Sequence, residues 1–192
     1  MTKRTKIWIP CDKREWHPSP LPGQVVLVTT VDGNGDPNVA PKSWISMAAF
    51  GPPPVLMFGC NLDHETARNV FVSGEFVVNI PGSDLMRTCW VVAADKASPR
   101  SDRFKHHGLT AIPSLRVRPP RIEECVAHIE CALDQSHSWG REVAIFGTIQ
   151  AVSMDEALRN GELDEHYRNL DPFFFLENEF AAPLGAPTNV SP

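Results

Sequence analysis

Residues 38–80 read NVAPKSWISMAAFGPPPVLMFGCNLDHETARNVFVSGEFVVNI, and this block decides the architecture. Asn38 to about Ala48 is expected as a strand. It is polar for a core strand, since it presents Asn38, Ser43, Trp44 and Ser46 among small residues. Gly51 to Pro54 forces a corner, and Val55 to Cys60 reads as the next strand. Asp63 opens a helix, its carboxylate placed to cap the free amide of Thr66. Ala67, Val70 and Phe71 recur at helical spacing, and Gly74 ends the helix in a left-handed C-terminal position. Phe76 to Ile80 is a short buried strand.

Working outward, Gln24–Val31 (QVVLVTTV) is a β-branched strand, and DGNGD at 32–36 is the turn that returns the chain. Residues 1–20 read as an irregular lead-in whose Trp8, Ile9 and Trp16 pack back on the body. Downstream, Ser83 and Asp84 cap a second helix to about Ala94, with Leu85, Met86, Cys89, Trp90 and Val92 apolar. A charged loop follows at Asp95–Ser101, then a helical turn, Asp102 to His107, ended by Gly108. Ile122–Leu133 and Glu142–Val152 are long strands joined as a hairpin by a polar turn at Gln135–Arg141. Asp155–Glu165 favours helix or turn, and residues 181–192 read as a tail. Strands outnumber helices and no βαβ alternation appears, so the fold is mainly β with a few helices, a barrel or sandwich. The domain is expected to span residues 21–180.

Composition narrows the function. The chain has 192 residues, 42% of them hydrophobic and 21% charged, and 18 prolines that fall between apolar runs. The formal net charge of −5 and a pI near 5.8 argue against nucleic acid as the main partner. The longest apolar stretch, Ile45 to Cys60, is interrupted by Pro52, Pro53 and Pro54, so no membrane span is expected. The basic N-terminus has no apolar run after it, unlike a secretory signal. Five irregularly spaced cysteines suit a reducing cytoplasm better than a disulfide framework.

Several motifs fail on inspection. The DGNGD turn imitates a calcium loop, but Pro37 and Ser43 stand where that loop needs Gly and Glu. Cys125, His128 and Cys131 tempt a zinc reading. On a strand the two cysteines share one face and His128 lies on the other, so buried core cysteines are expected and no metal site. Common hydrolase and dinucleotide-fold signatures are absent.

The polar strand and the helix after it carry the chemistry that remains. Asn38, Ser43, Trp44 and Ser46 form either an edge strand with a solvated face or a set of donors lining a groove. The helix start at Thr66, Arg68 and Asn69 is either an ordinary capped surface helix or a phosphate site, where free amides, a hydroxyl and a guanidinium converge. Phosphate donors on both elements, one strand apart, strengthen the ligand reading. His137 is expected in the hairpin loop, solvated or reaching a ligand at the barrel mouth. His106 and His107 close a short helix, where cations suit the dipole. Phe173, Phe174 and Phe175 form an aromatic cluster.

NVAPKSW, PPPVLMFG and HETARNVFVSGEFVVNI, followed in order by DRFKHHGL, RPPRIEECVAHIEC and VAIFGTIQAV, together resemble the flavin reductase-like, FMN-binding split β-barrel family, in particular its flavoredoxin-like branch. The resemblance covers roughly residues 20–180 by order and spacing of the blocks. It implies FMN in a groove at a homodimer interface, with NAD(P)H as co-substrate and a monooxygenase or another electron acceptor as partner. By that likeness Asn38, Ser43, Trp44 and Ser46 line the flavin and ribityl chain, and Thr66, Arg68 and Asn69 hold the phosphate. Arg103 stands where the family often has Lys, His137 lies near flavin and nicotinamide, and Phe173 approaches the ring. Two other classes stay open: an FMN electron carrier without turnover, and a cofactor-free barrel that serves as a binding module.

Overall fold

The β-branched run near the N-terminus forms β1 (Gly23–Gln24) and β2 (Val26–Val31). The computed structural model describes residues 5–10, 21–95, 103–160, 162–176 and 181–185. All of β2 is buried, because it is covered on both faces. The turn after it is the expected one: Asp32 Oδ1 accepts the amides of Asn34 and Asp36 at 2.8 and 3.0 Å, and Gly35 has φ +90°.

The strand expected at 38–48 divides in two, β3 (Pro37–Lys42) and β4 (Ile45–Ala49). The cause is pairing. β3 bonds to β2, whereas β4 bonds to β5 (Val55–Asn61). The chain continues through α1 (Glu65–Ser73), β6 (Glu75–Ile80), a 3-10 turn at Ser83–Leu85, and α2 (Met86–Ala94). Then come α3 (Arg103–His106), the short β7 (Ala111–Ile112) and β8 (Arg121–Ile122), and the long hairpin of β9 (Ala127–Trp139) and β10 (Glu142–Met154). α4 (Glu156–Asn160), α5 (Leu163–Leu170), β11 (Phe173–Phe175) and β12 (Ala181–Pro183) close the chain.

Seven strands make one antiparallel sheet in the order β3-β2-β6-β9-β10-β5-β4. Its two edge strands, β3 and β4, are joined by Ser43 and Trp44 alone. A chain that short spans at most about 10 Å, so the sheet has to curl until its edges meet. The result is a mainly β fold, a barrel split along the β3–β4 line.

The alternation of each strand sorts its side chains between two cores. Val26 and Val28 point inside the barrel with Phe58, Phe76, Val78, Cys131 and Ile145. Ala67 and Val70 of α1 join that cluster. Leu27 faces outward beneath α2 and α3, with Val39, Cys89, Val92, Phe104, Ile122 and Phe173. Between the layers, Asn79 Nδ2 donates to the Leu27 carbonyl at 2.9 Å, and its Oδ1 accepts the Ile122 amide at 2.9 Å. Gly74, at φ +72°, ends α1 as expected, its amide donating to Val70 O.

Other expectations need correction. The strand from Ile122 starts only at Ala127, and β9 and β10 pair as far as Trp139 and Glu142, leaving Gly140 and Arg141 as the turn. The polar run at 135–139 is an exposed ladder rather than a loop. Cys125 and Cys131 lie in different clusters rather than on one face. Both are free and buried, which pushes the Cys131 thiol up to about 12 and raises that of Cys125 as well. His128 spends its ring on the Ile122 carbonyl and Ser153 Oγ, at 2.7 and 3.1 Å. Phe71 is exposed, as is Trp8 at 85% of its surface, while Trp16 lies outside the described residues. Ala181–Pro183, expected to begin a tail, pair with β11. No described helix is long and apolar enough to cross a membrane.

Gly147 is packed closely in the barrel interior. A Cβ there would lie 2.4 Å from Cζ of Phe76 and 3.0 Å from Cβ of Cys131. Gly147→Ala is therefore expected to destabilise the fold by about 2 kcal/mol, since a full interior has no room for a methyl group. Urea unfolding at constant m-value checks this, and an unchanged midpoint would contradict the packing.

Candidate functional site

At the split in the barrel, Pro41 and Lys42 border three adjoining clefts of about 450, 370 and 260 Å³. The largest lies among β3, the start of α1, the end of α2, and α3. Asn38 and Thr66 line it, each only 1% exposed, together with Arg68 and Arg103. Arg103 Nη1 donates to Asn38 Oδ1 and, at 3.4 Å, to Glu65 Oε2. These contacts leave Asn38 Nδ2, Thr66 Oγ1 and Arg103 Nε buried without a partner. A buried polar group left unmade costs about 1–3 kcal/mol, so three in one cleft point to a ligand rich in acceptors.

The helix start points the same way. Asp63 does not cap it: its carboxylate pairs with Arg141, and its amide donates to Asn61 Oδ1 at 2.9 Å. The N-terminal residue is His64, extended at φ −73° and ψ 142°, and it makes no side-chain cap. The first amides of α1 are thus available to an anion, at the positive end of the helix. Arg68 is exposed at the rim, with Nη1 donating to the Asp63 carbonyl.

α3 is tied in place. His107 Nε2 lies 2.8 Å from Asp95 Oδ2, which bridges α3 to the end of α2 and holds Arg103 over the cleft. That contact replaces the simple dipole role expected of His107. Among the described residues, Asp95, His106 and His107 also form the one group that brings three possible metal-ligating atoms within 4.8 Å of one another.

The other two clefts flank the β3–β4 crossing. One is lined by Ser43, Trp44, Gly59, Cys60, His64 and Glu142. The other is apolar, with Ser43, Val25, Met86, Trp90, Phe173 and Phe175 among its walls. Trp90 and Phe175 meet there with ring centroids 5.7 Å apart.

The structure therefore gathers Asn38, Ser43, Trp44, Thr66, Arg68, Arg103 and Phe173 around one groove. It does not bring in the remaining three. Asn69 is buried and spends its amide on Thr30 Oγ1 at 3.0 Å, facing β2. Ser46 is exposed on β4, its hydroxyl donating to the Met47 carbonyl. His137 stands on β9 opposite Ala144, exposed, its ring 4.4 Å from Trp139. None of the three lines these clefts.

Sequence reasoning missed Lys42, and it weighed Cys60 with His64 only as a metal pair and set that aside. Lys42 is half-buried, and burial lowers its pKa, with the Cys60 thiol beside it opposing the shift. Burial in turn raises the Cys60 thiol against the pull of Lys42. His64 is lowered by burial and then by Lys42, and its Nδ1 is 3.8 Å from Cys60 Sγ. The one sequence signal was a lysine at the end of a strand that is otherwise uncharged.

Residues 19–171 match the family model of the flavin reductase like domain. Among curated proteins, an uncharacterized protein from Pyrococcus abyssi is 29% identical over 136 residues, 69% of this chain and 76% of that one. The reductase subunit of a flavin-dependent monooxygenase from Rhodococcus jostii is 26% identical over 129 residues, 67% of this chain and 62% of that one. Among solved structures, nitrilotriacetate monooxygenase component B from Bacillus cereus has a TM-score of 0.82 at 22% identity, covering 97% of this chain and all (100%) of that one. Flavoredoxin of Desulfovibrio vulgaris has a TM-score of 0.76 at 24% identity, covering 88% and 90%. The two structures share this fold.

Trp44 is 61% exposed and lies across Gly59, where a Cβ would come within 2.9 Å of its ring. Gly59→Ala is expected to displace the indole into solvent at a cost of about 0.5 kcal/mol, far below that of Gly147→Ala, because an exposed ring can swing aside. Near-UV circular dichroism should change with little movement of the unfolding midpoint. An unchanged spectrum would show that Trp44 does not rest on Gly59.

Proposed function

This chain belongs to the flavin reductase-like family, and on that premise we propose that it binds FMN and reduces it with NADH or NADPH. The observation that carries the reading is the trio of unpartnered buried donors, Asn38 Nδ2, Thr66 Oγ1 and Arg103 Nε, beside the uncapped start of α1. Their chemistry fits the phosphate end of a flavin mononucleotide. Arg68 adds charge at the rim. Ser43 and Trp44, at the crossing, suit the ribityl chain and the ring, and Phe173 forms part of an apolar wall. A bound flavin supplies an acceptor for two electrons and a proton, so the protein needs no side-chain nucleophile. Its residues anchor, orient and shield the reacting rings.

A homodimer follows from the same reading. Ser46 and His137 do not reach their own groove, and both are exposed. A second copy is the source from which either could meet a flavin, and His137 rides on the exposed end of the β9–β10 hairpin. The electron acceptor is proposed to be a monooxygenase component or another redox protein, in keeping with the names of relatives that serve such systems. The described cysteines are free and buried, which suits a cytoplasmic protein.

Anaerobic addition of each nicotinamide to the purified protein with FMN tests the activity. Flavin uptake followed by bleaching of its visible band is expected. Uptake without bleaching by either nicotinamide would leave an electron carrier, and no uptake would refute the flavin reading. The anchor has its own test. Thr66→Ala with Arg68→Ala should weaken FMN by about 30-fold, roughly 2 kcal/mol, while riboflavin, which lacks the phosphate, changes less than about threefold. Equal losses for both ligands would show that these residues do not hold the phosphate.

A further inference from the structure

Among the described residues, only Pro41 and Lys42 border all three clefts. A ligand whose anionic end sits among Asn38, Thr66 and Arg103 must pass Lys42 to enter either of the other two. The position of Lys42 beside the rest of the ligand is thus independent of which cleft takes the ring. None of the ion pairs among the described residues includes Lys42, and the Cys60 thiol is its neighbour in the Trp44-side cleft. Glu142 and His64 share the Trp44-side cleft with it. A half-buried ammonium that is in no ion pair among the described residues is poised for an anion, since charges withdrawn from water are ordinarily paired. The phosphate end already has Arg103, Arg68 and the helix amides, so the anion that Lys42 awaits is a second one.

We propose that Lys42 is the residue that makes this groove bind reduced flavin in preference to oxidised flavin. The proposal rests on the flavin reading above. Two electrons and one proton delivered from a reduced nicotinamide, which leaves oxidised, add one negative charge to a bound ring. A fixed cation beside the ring lowers the energy of that charged form and leaves the neutral, oxidised form nearly untouched. Lys42 is thus a positioning charge for the redox step, separate from the phosphate anchor.

The test compares wild type with Lys42→Gln, Lys42→Met and Lys42→Arg, each first shown to be folded by its unfolding midpoint. Dissociation constants are measured anaerobically for oxidised and for chemically reduced FMN, together with the two-electron midpoint potential of the bound flavin. Loss of the charge should leave oxidised FMN within about threefold of wild type, weaken reduced FMN about tenfold more, and lower the potential by about 30 mV. Lys42→Arg should keep the potential within about 10 mV of wild type. Equal weakening of both redox forms, or an unchanged potential in both uncharged variants, would overturn the role of Lys42 while leaving the flavin reading intact. A wild-type protein that takes up no flavin would overturn both.

Discussion

Two residues, Ser43 and Trp44, connect strands that lie at opposite edges of a seven-stranded sheet, and the rest of the structure depends on that short link. It obliges the sheet to curl and leaves a seam where the edges meet. The crossing is wedged from two sides. A Cβ on Gly23 would lie 1.9 Å from the Ser43 carbonyl oxygen, and one on Gly59 would strike the Trp44 ring. The Gly59 amide donates to the Trp44 carbonyl at 2.7 Å, which pins the link to β5. Gly23 thus lets the backbone approach closely where a side chain would force it apart, and Gly59 leaves room for the Trp44 indole. The clefts are the space left around this crossing, so the site follows from how the barrel closes.

The largest cleft mixes charges of both signs. Lys42, Arg68 and Arg103 line it together with Asp63, Glu65 and Asp95, at the start of α1. Arg103 is held there by a relay. The Asp95–His107 contact fixes α3 to α2, and the Arg103 guanidinium then reaches Asn38 on β3 and Glu65 at the start of α1. Three elements, α3, β3 and α1, are joined through one side chain, which still keeps Nε unpartnered in the cleft. Such an arrangement sacrifices stability at a buried polar site, a pattern expected where a ligand completes the hydrogen bonding.

Much of this was legible in residues 38–80. The Asp32–Asp36 turn, β5, Gly74 as the end of α1, and β6 follow from local chemistry, and local chemistry is what a single sequence displays. What escaped was tertiary. The break at Ser43–Trp44 is set by which strands pair with β3 and β4, and no local signal marks it. The exposed ladder of Gln135–Trp139 resembled a loop because polar residues on an exposed strand carry no hydrophobic period. Asp63 had the right spacing for a cap but found Arg141 instead. Asn69 stands three positions after Thr66, yet its amide turns to Thr30 in the core. Lys42 is placed between three clefts by the curl of the sheet, which no local signal displays.

The two ends of the groove are defined to different degrees, and this bears on how the protein works. At the Thr66–Arg103 end, buried donors on β3, α1 and α3 of one chain specify both charge and geometry. At the Trp44 end the indole is mostly exposed, and neither Ser46 nor His137 arrives from the same chain. One chain therefore determines where a ligand is anchored, and leaves open what meets the ring.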